Sequence, residues 1–272
     1  MPQIAANGVN LYYELHGPER ADVLVLSNGI LMSTGSWAYQ LPTFSRFLRV
    51  LLYDCRGMWQ SGHPAGPYSM EQHADDLAAL LDGLGIDQAH IAGISYGGEV
   101  SLAFALRHPQ RTRSLVVSSA VATVDAAMRA RTDPWEQAAR RGDPDELFRV
   151  TAPLNFSPAW AAANQPLLES ARARYASLDM AAFCELMGAF CRLDLQSELG
   201  RITAPALVTV GGADVLKPLP YAQAIADGIP GAELAVIPGA GHAVSWEKPG
   251  VFNSLVLGFV LKHALKAVFS DQ

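Results

Sequence analysis

Apolar residues recur along this chain with two different periods, and the changes of period mark its elements. Gln3–Ala6 and Val9–Leu15 flank Asn7-Gly8, a dipeptide suited to the positive φ values of a two-residue hairpin, so the chain is expected to open with two antiparallel strands. Asp22–Ser27 (DVLVLS) and Leu48–Tyr53 (LRVLLY) are short apolar runs of the kind found in sheet strands buried on both faces. Between them Ser36 to Phe47 is expected to be helical. Met70 to Leu84 reads as a strong helix, with Leu77, Leu80, Leu81 and Leu84 on its apolar side and Asp75 and Asp76 on the other. His90–Gly93 and Ser114–Ser118 read as strands on either side of a helix over Glu99–Arg107. Strands and helices alternating at these lengths predict an α/β fold with a mostly parallel central sheet flanked by helices.

The rhythm changes after Ala120. From Val121 to about Leu199 no strand is expected, only helical segments broken at Pro134, Pro144, Pro153 and Pro158. The alternation then resumes with Ala206–Val210, a helix near Tyr221–Ile229, Glu233–Ile237 and a last helix from Val251. The expected organisation is an α/β core from residues 1–120 and 201–272, with residues 121–200 inserted as a helical cap.

Composition narrows the possible partners. Half of the 272 residues are hydrophobic and 17% are charged, enough to bury a sizeable core and too apolar for a disordered chain. A net charge of −6 gives no general attraction to phosphate backbones or anionic membranes, so no nucleic acid and no membrane partner is expected. The three cysteines form no CxxC pair, and Cys184 and Cys191 would sit about 10.5 Å apart along one helix, too far for a disulfide. Neither a signal peptide nor a membrane-spanning run is visible, and a cytoplasmic protein is the expectation. Composition is silent on oligomeric state.

The chemistry centres on Gly93-Ile94-Ser95-Tyr96-Gly97, followed by Gly98. An apolar strand runs into this G-x-S-x-G and an apolar helix leaves it, the context in which a serine sits exposed on a tight strand-to-helix turn. A serine hydroxyl needs a base, and the base needs an orienting acid. In the chain order Ser…Asp…His, Asp214 follows the strand Ala206–Val210 and His242 follows Glu233–Ile237. Both strand ends fall on the edge of the sheet where open α/β folds place their sites. Taken singly, Asp214 could be a turn aspartate and His242 a loop histidine; their order and spacing make them a pair. The oxyanion that forms on attack needs donors, and the backbone N–H groups of Tyr96 and Ile30 are the candidates. No other histidine recurs at metal-ligand spacing and no HExxH occurs, so neither metal nor cofactor is expected.

With these residues in view, the chain resembles the α/β-hydrolase superfamily over nearly its whole length. It is most similar to cofactor-free bacterial carboxylesterases and 3-oxoadipate enol-lactonase-like hydrolases. The segments that carry the likeness are Asp54-Cys55-Arg56-Gly57 with Ser61, His73–Leu80, the Ser95 turn, and Gly239-Ala240-Gly241-His242 with Glu247, Pro249 and Phe252. Two positions depart from the pattern: Asn28-Gly29 replaces His-Gly in the oxyanion loop, and Trp59 stands where a second glycine would be. The resemblance implies an α/β-hydrolase fold and a serine hydrolase cleaving short to medium apolar carboxylic esters, a small-molecule ester being its partner. Ser27-Asn28-Gly29 through Trp37 is also similar to hydroxyacyl thioester transacylases, which makes acyl transfer or thioester cleavage the alternative. Lactone opening, C–C bond hydrolysis and a ligand receptor on the same fold stand behind it. Of the inserted aromatic residues, among them Trp135, Phe148, Phe156 and Tyr175, some are expected to face the serine. The arginines at 129, 131, 140 and 141 read as a solvated helix face.

Overall fold

The computed structural model describes residues 2–270, with side chains through Ala264. Its eight strands are β1 (Gln3–Ala6), β2 (Val9–His16), β3 (Val23–Ser27), β4 (Arg49–Tyr53), β5 (Ala89–Ile94), β6 (Thr112–Ser118), β7 (Ala206–Gly211) and β8 (Glu233–Ile237). They form one sheet in the order β1-β2-β4-β3-β5-β6-β7-β8. The β1–β2 and β2–β4 pairs are antiparallel, and every later neighbour is parallel. Asn7 and Gly8, at φ 49° and 77°, make the tight turn that the first strand pair requires.

Period-two alternation divides the strands between two cores. Leu24, Leu26, Val50 and Leu52 pack on one face of the sheet, with Phe44, Phe252 and Val256. Val25, Leu51 and Ile91 pack on the other, with Leu77, Leu80 and Phe104. Because both faces are covered, the central strands are apolar over most of their length, and the polar side chains they bury pair with one another, as His90 does with Ser114 and Ser118 with Thr209.

The helices are α1 (Leu41–Phe44), α2 (Met70–Gly83), α3 (Tyr96–Arg107), α4 (Ala126–Arg140), α5 (Pro144–Asn155), α6 (Pro158–Ala163), α7 (Gln165–Tyr175), α8 (Met180–Cys191), α9 (Leu219–Gly228), α10 (Val244–Glu247) and α11 (Pro249–Ser270). The stretch expected as one helix from Ser36 to Phe47 is instead a 3-10 turn over Thr34–Trp37 followed by α1. Pro42 explains the break, since it has no N–H to continue a helix from Ala38 and is tolerated only in a first turn.

Helices α4 to α8 all lie between β6 and β7, and a single bridge from Thr123 to Asp194 ties the segment's entry to its exit. Side chains start most of these helices: Asp125, Asp143, Ser157 and Asp179 each accept a backbone N–H from the first turn. Pro144 and Pro158 occupy first-turn positions as expected of breakers, whereas Pro134 and Pro153 lie inside α4 and α5.

Candidate active site

The turn from β5 into α3 is held by close backbone packing. Ser95 takes φ 54° and ψ −121°, a region that non-glycine residues rarely occupy. Its N–H donates to Ser118 O at 2.8 Å, and its carbonyl accepts from Gly98 and Glu99. A Cβ on Gly93 would lie 2.0 Å from Gly97 O, and one on Gly97 would lie 2.1 Å from Ser27 O, so both positions must be glycine for the turn to close. The strain lifts the Ser95 hydroxyl to the sheet edge and sets it at the N-terminus of a 12-residue helix, where the helix dipole favours negative charge.

The loop after β7 turns around its own aspartate. Asp214 Oδ1 accepts the N–H groups of Leu216 and Lys217 at 2.9 and 2.8 Å, which leaves Oδ2 to accept from His242 Nδ1 at 2.8 Å. Both side chains are buried. With Nδ1 donating to the carboxylate, Nε2 is the histidine's remaining proton-transfer atom. Ser95 and His242 line the same cleft, but no hydrogen bond joins them among the described residues. The serine Oγ instead accepts from Lys217 Nζ at 3.2 Å.

Asn28 anchors the loop after β3. Its Nδ2 donates to Tyr53 O and Asp54 Oδ1, both at 2.9 Å, and its Oδ1 accepts from Trp37 Nε1 at 2.7 Å. Its two amide donors tie the loop to the end of β4 and its carbonyl ties it to the Thr34–Trp37 turn, and Ile30, two residues on, lines the cleft. The N–H groups of Ile30 and Tyr96 are not taken up by the loop and turn hydrogen bonds of the described residues, which leaves both available as donors. Tyr96 is held from its other end, its hydroxyl meeting His73 Nε2 at 2.8 Å.

The cleft encloses about 110 Å³ and opens to solvent at its mouth. Trp135, Phe148, Phe156 and Tyr175 from the helical segment line it together with Ile30 and Trp246, the last with its ring centroid 6.5 Å from that of Phe156. Among its lining residues the cation is Arg174, whose guanidinium lies 4.5 Å from the Trp59 ring and donates to Ser33 Oγ. The arginines read as a solvated face do not line the cleft; Arg140 and Arg141 pair with Glu136 and Glu146 at the surface. Among the described residues no cluster of three metal-ligating side chains occurs, and no helix is long and apolar enough to cross a membrane.

Sequence reasoning missed Lys217 and Glu99. Lys217 Nζ lies 2.7 Å from Glu99 Oε1, with Phe190 forming an aromatic face 4.8 Å from the ammonium. The signal was present: Glu99 is the acid in the first turn of a helix whose other residues through Leu106 are small, apolar or aromatic, apart from Ser101.

Comparison with known proteins agrees with this architecture. Residues 22–249 match a family described as alpha/beta hydrolase fold. A protein of Azorhizobium caulinodans that carries the provisional name carbamate hydrolase RutD is 31% identical over 261 residues, covering 95% of this chain and 98% of that protein. The enol-lactonase from Burkholderia xenovorans LB400 superposes with a TM-score of 0.91 at 29% identity, over 96% of this chain and all of that one. A thermophilic esterase from Thermogutta terrifontis gives a TM-score of 0.87 at 25% identity, over 97% of this chain and all of the esterase.

Proposed function

This chain belongs to the alpha/beta hydrolase fold family, and we propose that within it the protein is a serine hydrolase cleaving carboxylic esters of short to medium apolar groups. The carrying observation is the His242–Asp214 contact of 2.8 Å beside a strained serine on the same cleft. In the reaction, Ser95 Oγ bonds to the ester carbonyl carbon while its proton passes to His242 Nε2. Negative charge moves to the carbonyl oxygen, and the N–H groups of Tyr96 and Ile30 receive it. Collapse breaks the C–O bond, and His242 returns the proton to the departing alcohol. Water then repeats the sequence on the acyl-enzyme and frees Ser95.

The three relatives support the reaction class through their names. Enol-lactone, ester and carbamate cleavage all proceed by addition to an acyl carbonyl, so one arrangement of nucleophile and donors serves each. Residues 121–200 act as the cap, with their aromatic side chains forming the apolar wall against which an acyl or alcohol group is buried.

Incubation with a fluorophosphonate probe, followed by peptide mapping, tests the reading directly. Label on Ser95, together with p-nitrophenyl butyrate hydrolysis that Ser95→Ala abolishes, is the expected result. Equal hydrolysis by the wild type and Ser95→Ala would overturn it.

A further inference from the structure

Lys217 and Glu99 form an ion pair in the interior, with side chains only 3% and 0% exposed. Removing two such charges from water costs several kcal/mol per ion, and their attraction seldom returns more than that cost. Apolar residues of similar volume would give a core at least as stable. Stability therefore does not account for the pair, and its position offers another reason: Lys217 Nζ is the side-chain group that hydrogen-bonds Ser95 Oγ.

On the serine-hydrolase reading above, we propose that Lys217 is a further catalytic residue, its Nζ donating to Ser95 Oγ while Glu99 holds the ammonium in place. An ammonium offers three donors and no acceptor. One donor is aimed at Glu99 Oε1, one at Ser95 Oγ, and the aromatic face of Phe190 covers the group. Because Oγ is the acceptor in this contact, its own hydrogen must point elsewhere, and the open side of Ser95 is the cleft it shares with His242.

Lys217 thereby does two things. It turns the serine proton away from itself, leaving it for His242 Nε2. It also places positive charge beside the oxygen as that proton leaves. Lys217 keeps all of its protons throughout: the transferred proton goes from Ser95 to His242 and then to the leaving alcohol. Together, the pair is a dipole with its positive end on the nucleophile, aligned in effect with the N-terminus of α3.

The surrounding charges are consistent with that direction. Glu99 projects from α3, Asp214 grips the backbone N–H of Lys217 from the same turn, and His242 approaches from the loop after β8. Glu99 Oε1 also accepts the N–H of Val121, while Oε2 is buried without a hydrogen-bond partner. Burial pushes the Glu99 carboxyl up, and the Lys217 ammonium works against that rise. Such an incompletely satisfied acid is costly to keep in a core, which again points away from a purely structural role.

The test compares fluorophosphonate labelling rates of the wild type and the paired variant Glu99→Gln/Lys217→Met, in which both charges leave together and the introduced amide oxygen can still accept from Val121. Labelling at least about tenfold slower, with the melting temperature within a few degrees of wild type, is the expected result; loss of one donor to a developing oxyanion costs about 100- to 1,000-fold, and a donor to the nucleophile oxygen is expected to matter less. A folded variant that labels within twofold of wild type would overturn the proposal. Should the variant not fold, a crystal structure of the phosphonylated wild type decides: Lys217 Nζ still within hydrogen-bonding distance of Oγ supports the role, and Nζ withdrawn from it refutes the role. Wild type that takes no label at Ser95 would instead defeat the serine-hydrolase reading on which the inference rests.

Discussion

Glu247 and Ser157 are joined twice across ninety residues of sequence. Glu247 Oε1 accepts the backbone N–H of Ser157 at 2.9 Å, and Oε2 accepts its hydroxyl at 2.5 Å. Nearby, Ala243 N–H donates to Asn155 O at 2.9 Å. The loop that carries His242 is thus fastened to the junction of α5 and α6, so the helical segment and the histidine are placed by the same contacts.

Glu247→Ala should leave a buried N–H without an acceptor, at a cost of about 1–3 kcal/mol. For a domain of this size that lowers the melting temperature by roughly 3–10 °C. Glu247→Gln, which keeps one acceptor for the N–H, should lose less. Thermal melts of the two variants check this, and an unchanged midpoint for Glu247→Ala would show that the junction is not held through Glu247.

Asp214 and Asp125 separate two possible sources of the acid. Asp214 meets His242, whereas Asp125 caps α4 through Met128 N–H and accepts from the Tyr221 hydroxyl. Asp214→Asn should lower kcat on p-nitrophenyl esters by about 10⁴-fold, because an amide presents a donor where the imidazole N–H needs an acceptor. Asp125→Asn should change kcat by no more than about twofold, since asparagine caps helices as well as aspartate does. A larger loss from Asp125→Asn would move the acid to the end of β6.

Much of this arrangement was legible in the sequence, because strand ends and turns obey local rules. The apolar runs before Ser95, Asp214 and His242 placed all three on one sheet edge, and Asn7-Gly8 marked the first hairpin. What periodicity does not register is a backbone atom that is missing. The pattern from Ser36 to Phe47 was helical, yet Pro42 divides it. Nor does local pattern reveal pairing over long separations: Lys217 meets Glu99 across 118 residues, and the meeting depends on how the β7 loop falls over α3. Arg174 escaped for the same reason, since its place at the cleft depends on the Trp59 ring more than a hundred residues earlier.

Two buried histidines govern the acid side of stability. Burial pushes His73 down to about 3, helped by the nearby Arg56 charge, and pushes His90 down to about 4. A histidine in the unfolded chain titrates near 6.5, so below that pH the unfolded state takes up protons that the folded state refuses. Stability contributed at neutral pH is therefore lost as pH falls from about 6.5, by about 2 kcal/mol per histidine at pH 5. Asp54 has the opposite sign. Burial pushes its carboxyl up to about 6, so the folded state binds that proton first and recovers about 1 kcal/mol at pH 5. Urea midpoints should fall between pH 7 and pH 5, and His73→Gln should show a smaller fall. A midpoint that does not move over this range would mean that the imidazoles titrate in the folded protein.

Trp59 sets the last expectation, which concerns substrate length. It takes φ 42°, a left-handed conformation that costs a bulky residue about 1–3 kcal/mol. In return its ring walls the cleft and carries the Arg174 guanidinium 4.5 Å from its centre. Each methylene buried in the cleft adds up to about 0.8 kcal/mol, or about fourfold in kcat/KM, until the space is filled. With p-nitrophenyl esters from acetate to palmitate, kcat/KM should rise along the series while the cleft still has room and then fall once it is filled. Trp59→Gly relieves the backbone and removes both the wall and the platform for Arg174, so its optimum should move to longer chains. If the wild type still climbs at palmitate, the helices over Ser95 do not enclose the substrate. If the optimum is the same in Trp59→Gly, another residue limits chain length.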